Sequence, residues 1–244
     1  MPWKPLLALL VFAPLASPQS LPAKETLSYT VEWRLITAGK ASLEWTSEQR
    51  PRSAAQVKLR LESVGLVSKF FKVEDDYSAS LNSAGCAQSL QMTTLEGSRQ
   101  RETRVTFDSA RRKASYLERD REKNVVIASH DIDITPCVYD VVGGLYLMRT
   151  LNLEPGQSTE VPVSDGKKSV MARVEAQQRE DVKTSQGTLQ TVRYEVHVFN
   201  NVLYRRPAHL YVWLTDDRRK LPVRLQVRMQ FAIGTITLLL DKAE

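Results

Sequence analysis

The chain alternates apolar and polar residues over many short segments. Strands that bury one face and leave the other in water show this period of two, which is typical of antiparallel sheets. The first such segment, LSYTVEWRL, has mostly polar or charged residues between its apolar ones, which are Leu27, Tyr29, Val31, Trp33 and Leu35.

The alternation resumes after TAGK, residues 37–40, where we predict a turn. Similar runs recur at roughly 10-residue spacing up to TITLLLDK, and no βαβ pattern interrupts them. We therefore predict a mainly β fold, a curved antiparallel sheet or open half-barrel. The alternating apolar positions include Ala41, Leu43, Trp45, Val57, Leu59, Leu61, Val223, Leu225, Val227, Met229 and Phe231.

The segment ITPCVYDVVGGLYLMRTLNLEPG predicts one α-helix that covers the sheet. Thr135 can cap the helix and Pro136 suits its first position, so we place it from Cys137 to Leu151, where EPG ends it. Gly143 and Gly144 each cost about 1 kcal/mol in a helix, which favours close packing against the sheet. The apolar stripe of this helix consists of Val138, Val141, Val142, Leu145 and Met148.

A second segment, SVGLVSKFFKVEDD, is predicted to be a loop or a short helical turn. It places Phe70 and Phe71 side by side between Lys69 and Lys72. Two interpretations stay open at this point. The aromatic pair can form a lip that dips into a membrane or closes over an apolar ligand, or it can plug the core beneath the loop.

The first twenty residues have the layout of a secretory signal peptide. Lys4 gives a positive start, Pro5 to Ala16 is an apolar run too short to span a bilayer, and small and polar residues follow. Cleavage after Ala16 or after Ser20 stays open. We expect residues 21–244 to form a single exported β domain, periplasmic or secreted, with no transmembrane span.

The chain has two cysteines, Cys86 and Cys137. An even count in an oxidising compartment predicts a disulfide between them, which would restrict the unfolded chain by roughly 4 kcal/mol on the chain-entropy model. The two cysteines have no CxxC spacing and no histidines near them in the sequence, so they are poor candidates for metal ligands.

The net charge of +6 and the isoelectric point near 9.3 indicate an electropositive protein. Export argues against a nucleic-acid partner, so the charge either attracts the protein to an anionic envelope surface or only keeps it in solution. A basic stretch includes Arg99, Arg101 and Arg104 among acidic residues. It is either a charged solvent face of two strands and their turn, or a surface that contacts anionic lipid headgroups or docks an envelope protein.

No sequence motif predicts catalysis. Asp216 and Asp217 fall between two predicted strands in DDRRK, which is typical of a hairpin connection and not of a carboxylate pair. The histidines, His130, His197 and His209, lack metal-binding spacing. We expect no catalytic residue, metal or cofactor, although a hydrolase assembled from distant residues stays open.

In order along the chain, five segments together resemble the bacterial exported family called domain of unknown function 3108. The resemblance covers about residues 27–240 and assigns no activity. The hairpin around Trp213 and Pro222 is also similar to one in periplasmic lipoprotein carriers of the LolA/LolB type, which implies a half-barrel with a helical lid and an apolar cavity. The five segments are LSYTVEWRLITAGKASLEW, CVYDVVGGLYLMRTL, GQSTEVPVSDGKK, YVWLTDDRRKLPVRL and IGTITLLL.

These observations lead to one hypothesis and one alternative. The hypothesis is a non-enzymatic envelope protein that binds a lipid or other apolar small molecule. The alternative is an envelope assembly protein with a solid core, whose basic face docks a protein partner. In the first case we expect ligand contacts from the concave face, the lip and the helix, at Trp33, Trp45, Phe70, Phe71 and Tyr146.

Overall fold

The computed structural model describes residues 21–47, 55–229 and 234–244. The predicted signal peptide, residues 1–20, lies outside the described residues. Within these ranges the chain forms two short helices and fourteen strands. The helices are α1 (Gly65–Phe70) and α2 (Val141–Met148), and the strands are β1 (Lys24–Trp33), β2 (Ile36–Ser47), β3 (Ala55–Ser63), β4 (Val73–Leu81), β5 (Ala87–Glu96), β6 (Arg99–Asp108), β7 (Lys113–Asp120), β8 (Val125–Asp133), β9 (Ser158–Ser164), β10 (Ser169–Thr184), β11 (Gly187–Val196), β12 (Ala208–Thr215), β13 (Pro222–Met229) and β14 (Thr235–Ala243).

All of these strands belong to one antiparallel sheet, which confirms the predicted mainly β, open architecture. The sheet order is β8-β7-β6-β5-β4-β3-β2-β1-β14-β13-β12-β11-β10-β9, so the first and last strands pair in the middle. Strands β8 and β9 form the two edges and do not pair with each other. The chain crosses from one edge to the other through the segment that contains α2, the predicted covering helix.

The sheet curls, so that its two halves approach each other on the concave side. The turn between β9 and β10 lies against β6 and β7, and a Cβ at Gly166 would lie 2.5 Å from a methyl group of Val105. Tyr139, just before α2, forms a parallel bridge to Val163 of β9. The concave face thus encloses the main apolar core, as the alternation predicts; Leu27, Tyr29 and Val31 are all buried there.

The first hairpin turns earlier than predicted. Strand β1 ends at Trp33, and Arg34 and Leu35 form the turn with positive φ angles of 49° and 71°. TAGK therefore lies inside β2, and the predicted turn at 37–40 was wrong. Leu35 sits at the turn tip and is 93% exposed, and Trp33 is only half-buried.

Helix α2 is shorter than predicted and begins at Val141. The Asp140 carboxylate caps it by accepting hydrogen bonds from the backbone nitrogens of Val142 and Gly143, so the predicted cap at Thr135 was wrong. The reason is tertiary. The Tyr139 nitrogen donates to the Pro162 oxygen and holds the preceding residues extended beside β9. No helix among the described residues is long and apolar enough to cross a membrane.

The segment after β3, predicted to be a loop or a short helical turn, forms a short helix. Helix α1 has only six residues and buries none of them. The predicted disulfide is also present: Cys86 and Cys137 are bonded, with their Cα atoms 5.1 Å apart. This bridge ties the β4–β5 turn to the segment that leads into α2.

Candidate apolar cavity

An apolar cavity of about 280 Å³ lies on the concave side of the sheet. Strands from both halves of the sheet, one face of α2 and the loop after β11 form its wall. The strands contribute Tyr29, Leu43, Leu59, Val161, Val163, Ala172, Val174, Val196, Leu210, Val212, Leu225, Val227 and Leu238, the helix Val141, Val142, Gly144, Leu145 and Met148, and the loop Val198, Phe199 and Tyr204.

The cavity wall is almost entirely hydrocarbon. Its side-chain polar atoms are the hydroxyls of Tyr29 and Tyr204. The Tyr29 hydroxyl donates to the backbone oxygen of Pro222 at 2.8 Å, so it is already satisfied. Burial raises the pKa of both tyrosines, and both therefore stay neutral phenols at physiological pH. A cavity with this lining favours an apolar occupant over water.

The wall is deeply buried on one side and half-exposed on the other. Side chains from β9 and β10, such as Val161 and Ala172, are buried. In contrast, Leu59 of β3, Leu225 of β13 and Leu238 of β14 are half-exposed although they face the concave side. These half-exposed positions mark where the cavity meets solvent.

Four residues of the predicted helical stripe line the cavity: Val141, Val142, Leu145 and Met148. Their spacing puts them on one face of α2, as the sequence predicts. The fifth, Val138, precedes the helix and is buried in the core. The predicted close packing at the glycines occurs at Gly143, where a Cβ would lie 2.5 Å from the Asp140 carboxylate and 3.2 Å from Leu81.

The start of α2 is fixed by a buried hydrogen-bond network. The Tyr77 hydroxyl donates to Asp140 Oδ1 at 2.5 Å, and the same oxygen caps the helix. Asp140 is fully buried, and burial raises the pKa of its carboxyl group although these hydrogen bonds act in the opposite direction. The neighbouring disulfide at Cys137 adds a covalent link, so this end of the cavity wall is rigidly held.

The body and the end of α2 are held by two further contacts. The Tyr146 ring stacks on Trp45 of β2 with ring centroids 4.4 Å apart. Arg149, directly after the helix, forms a buried ion pair with Glu25 of β1. Neither Tyr146 nor Arg149 lines the cavity, and their contacts fix the orientation in which the helix presents its apolar stripe.

The five residues predicted to contact a ligand do not line this cavity. Trp45 and Tyr146 are buried in the contact just described, and Trp33 lies half-buried at the end of β1. Phe70 and Phe71 are 86% and 52% exposed on α1 and directly after it. Nothing in the structure brings the five together, and their contact with a ligand stays a prediction.

The wall residues that sequence reasoning did not single out as ligand contacts come mainly from the C-terminal strands. Leu225 and Val227 belong to the alternating segment of β13, and Leu210 and Val212 belong to β12. Alternation correctly assigns Leu225 and Val227 to the concave face. It does not distinguish a side chain that packs against a neighbour from one that borders a cavity.

The adjacent acids belong to a hairpin turn, as predicted. Asp217 Oδ1 accepts hydrogen bonds from the Thr215 hydroxyl and from the backbone nitrogens of Arg219 and Lys220. Asp216 points elsewhere and pairs with Arg179 at 2.8 Å. Across residues 21–47, 55–229 and 234–244, no group of three or more His, Cys, Asp or Glu residues is arranged to hold a metal ion.

The basic stretch is divided between the two faces of the sheet. Arg101 lies on the concave face, where it pairs with Asp120 of β7. Arg104 lies on the opposite face and pairs with Glu102. Successive residues of a strand point to opposite faces, so Arg99 and Arg101 lie on one face of β6 and Arg104 lies on the other. One docking face therefore cannot present all three arginines.

Solved structures of similar fold include a beta-barrel-like protein of domain of unknown function DUF1849 from Brucella abortus. It matches with a TM-score of 0.56 at 6% sequence identity, over 92% of this chain and 98% of that one. This likeness shows the fold alone. The resemblance to LolA/LolB-type carriers stays a prediction, and a comparison with curated proteins gives no significant match.

Two further solved structures match at lower TM-scores. A protein from Bacteroides fragilis described as an exported protein with a YmcC-like fold has a TM-score of 0.40 at 7% identity, over 90% of this chain and 95% of that one. A protein from Parabacteroides distasonis described as a lipoprotein has a TM-score of 0.34 at 10% identity, over 93% and 97%.

The resemblance noted from the sequence is confirmed at the level of the family. The family described as protein of unknown function (DUF3108) matches residues 28–241, which is most of the chain and nearly the whole sheet. The chain belongs to this family.

Proposed function

We propose that the protein is a non-enzymatic component of the cell envelope that binds a lipid-like or other apolar molecule in the cavity. The observation that carries this proposal is the cavity wall, in which twenty-one residues from both halves of the sheet, α2 and the loop after β11 present almost only hydrocarbon. Burial of apolar ligand surface would drive binding at roughly 25 cal/mol per Å².

The cavity volume narrows the class of ligand. At about 280 Å³ the cavity is slightly smaller than typical ligand pockets, which run from about 300 to 1,000 Å³. It suits one acyl chain or a small apolar molecule, with any polar head left outside. Tyr204, in the loop after β11, is the wall residue that would donate a hydrogen bond to such a head, because the Tyr29 hydroxyl is already bonded to Pro222.

We further propose that the protein is exported to the periplasm or secreted. The predicted signal peptide supports this location. The Cys86–Cys137 disulfide supports it as well, because structural disulfides persist in oxidising compartments.

Native mass spectrometry of the chain purified from the envelope of its own host tests the proposal. We expect a co-purifying apolar species of defined mass that is released by organic solvent and identified by lipid analysis. A clean apo mass, together with no uptake from an added panel of fatty acids and phospholipids, would overturn the proposal and favour an assembly protein.

A further inference from the structure

Five large apolar side chains project into solvent at one end of the sheet. Three of them come from α1 and the residue after it, and two come from the β1–β2 turn. We name this group the apolar rim: Leu35 (93% exposed), Ile36 (52%), Leu66 (70%), Phe70 (86%) and Phe71 (52%).

The two parts of the apolar rim are neighbours. Helix α1 packs beside the start of β2, and the Val64 nitrogen, at the cap of α1, donates to the oxygen of Ala38 at 2.9 Å. Ala38 lies two residues after Ile36, so the helix and the turn emerge side by side. The five exposed side chains therefore lie close to one another at this end of the sheet, and clusters of exposed apolar side chains mark interaction sites.

The fold itself does not account for these apolar residues. Helix α1 buries none of its six residues, so Leu66 and Phe70 contribute little to the core. The Phe71 ring rests against Gly97, where a Cβ would lie 3.0 Å from it, and this contact holds the base of the patch. The tip residues Leu35 and Phe70 project beyond it into solvent.

Three cations lie within or next to the two segments of the apolar rim. Lys69 lies in the last turn of α1, and Lys72 follows Phe71 and pairs with Glu74 at 2.9 Å. Arg34 lies beside Leu35, with its guanidinium 5.6 Å from the centre of the Trp33 ring. The whole chain carries a net charge of +6. Apolar tips flanked by lysine and arginine match the apolar interior and the anionic surface of a lipid bilayer.

We infer that the apolar rim is a docking surface for an anionic lipid bilayer. Phe70, Leu66 and Leu35 enter the boundary between headgroups and acyl chains, and Lys69 stays at the level of the lipid phosphates. The inference depends only on the side chains of the rim and not on whether the cavity holds a ligand.

Docking at the rim would also orient the cavity. The register row Trp33–Ile236–Val227–Leu210–Val196 crosses the sheet from the β1–β2 turn to the end of β11. The loop that follows β11 and lines the cavity therefore lies at the same end of the sheet as the rim. A docked protein would hold this end of the cavity against the bilayer.

Flotation with lipid vesicles tests the inference, using the full chain as its host produces it. We expect the protein to bind vesicles of phosphatidylcholine mixed with phosphatidylglycerol, and to bind pure phosphatidylcholine less. Phe70→Ser should lower the partition coefficient about tenfold, and Leu66→Ser with Phe70→Ser about a hundredfold. Lys69→Glu should lower binding to the anionic vesicles only.

Met171→Ser is the matched control, because Met171 is 47% exposed on β10 and lies outside the rim. The N-terminal segment is the same in all variants, so their differences report the rim alone, and circular dichroism checks their folding. Absence of vesicle binding, or equal binding by Phe70→Ser and Met171→Ser, would overturn the inference. A concentration-dependent dimer that Phe70→Ser abolishes would instead assign the rim to a second copy of the chain.

Discussion

Arg149 and Glu25, 124 residues apart in the sequence, form a buried two-point ion pair. Arg149 Nη1 lies 2.5 Å from Glu25 Oε2, and Nη2 lies 2.9 Å from Oε1. The two side chains are 1% and 8% exposed. Nη2 also donates to the backbone oxygen of Arg219 at 3.0 Å. The pair thus joins the end of α2 to β1 and to the β12–β13 hairpin.

Arg149→Met should lower the free energy of unfolding by about 3–5 kcal/mol, because it leaves the Glu25 carboxylate buried without its partner. Glu25→Leu should cost a similar amount for the same reason. The double variant should lose less than either single variant, since neither charge is then left buried. Urea unfolding of the four proteins measures this coupling. If the losses of the two single variants simply add in the double variant, the two charges are not coupled and the prediction is wrong.

The disulfide should contribute to stability by closing a long loop. Cys86 and Cys137 are separated by 51 residues, for which chain entropy gives about 4 kcal/mol. Replacing both by serine should therefore lower the free energy of unfolding by about 2–4 kcal/mol in urea. A reductant should destabilise the native chain to a similar extent and leave the double-serine variant unchanged. Equal stability of the oxidised chain and this variant would refute the prediction.

Asp75 should make stability depend on pH. It shares the concave face of β4 with Tyr77, and burial, followed by the nearby Glu96 carboxylate, raises its pKa from 3.8 to about 6. Between these values the folded chain binds more protons than the unfolded chain. Stability should therefore fall as the pH rises from about 4 to about 6. The loss should be about 1 kcal/mol, because the half-exposed site is screened by solvent.

Asp75→Asn should remove this dependence, because the amide oxygen can still accept the hydrogen bond from the Leu95 nitrogen. The variant should gain stability relative to the native chain at pH 7 and match it near pH 4. Thermal unfolding across this range is the measurement, and Asp76→Asn, on the opposite face of β4, is the control. A constant difference between Asp75→Asn and the native chain at all pH values would rule out the shifted carboxyl group.

Local sequence patterns predict much of this fold. They fail where distant contacts or unusual backbone geometry determine where a turn or a helix begins. Alternation identifies the concave face of β1, where Leu27, Tyr29 and Val31 are buried. The turn at Arg34 and Leu35 was not predicted, because its positive φ angles usually require glycine or asparagine and neither residue is present there. The start of α2 was misplaced because the backbone bond between Tyr139 and Pro162 prevails over a good local cap.

The cavity is harder to predict than the strands. A period of two shows that Leu225 and Val227 face the concave side, but the space in front of them depends on how the whole sheet curls. Trp45 is a reasonable ligand contact by sequence. Its neighbour in the structure, Tyr146, is brought to it by the crossover between the sheet edges, which no local pattern predicts.

Enlarging one wall residue should weaken the binding of an apolar probe in the cavity. Val227 lines the cavity and is half-exposed, whereas Gln226 lies on the opposite face of β13. Val227→Trp should place an indole in the cavity and weaken binding of a fluorescent apolar probe, such as a naphthylamine, at least about tenfold. Gln226→Trp adds the same ring outside and should leave probe binding unchanged. Thermal unfolding checks that both variants fold. Undiminished probe binding by folded Val227→Trp would place the apolar site elsewhere.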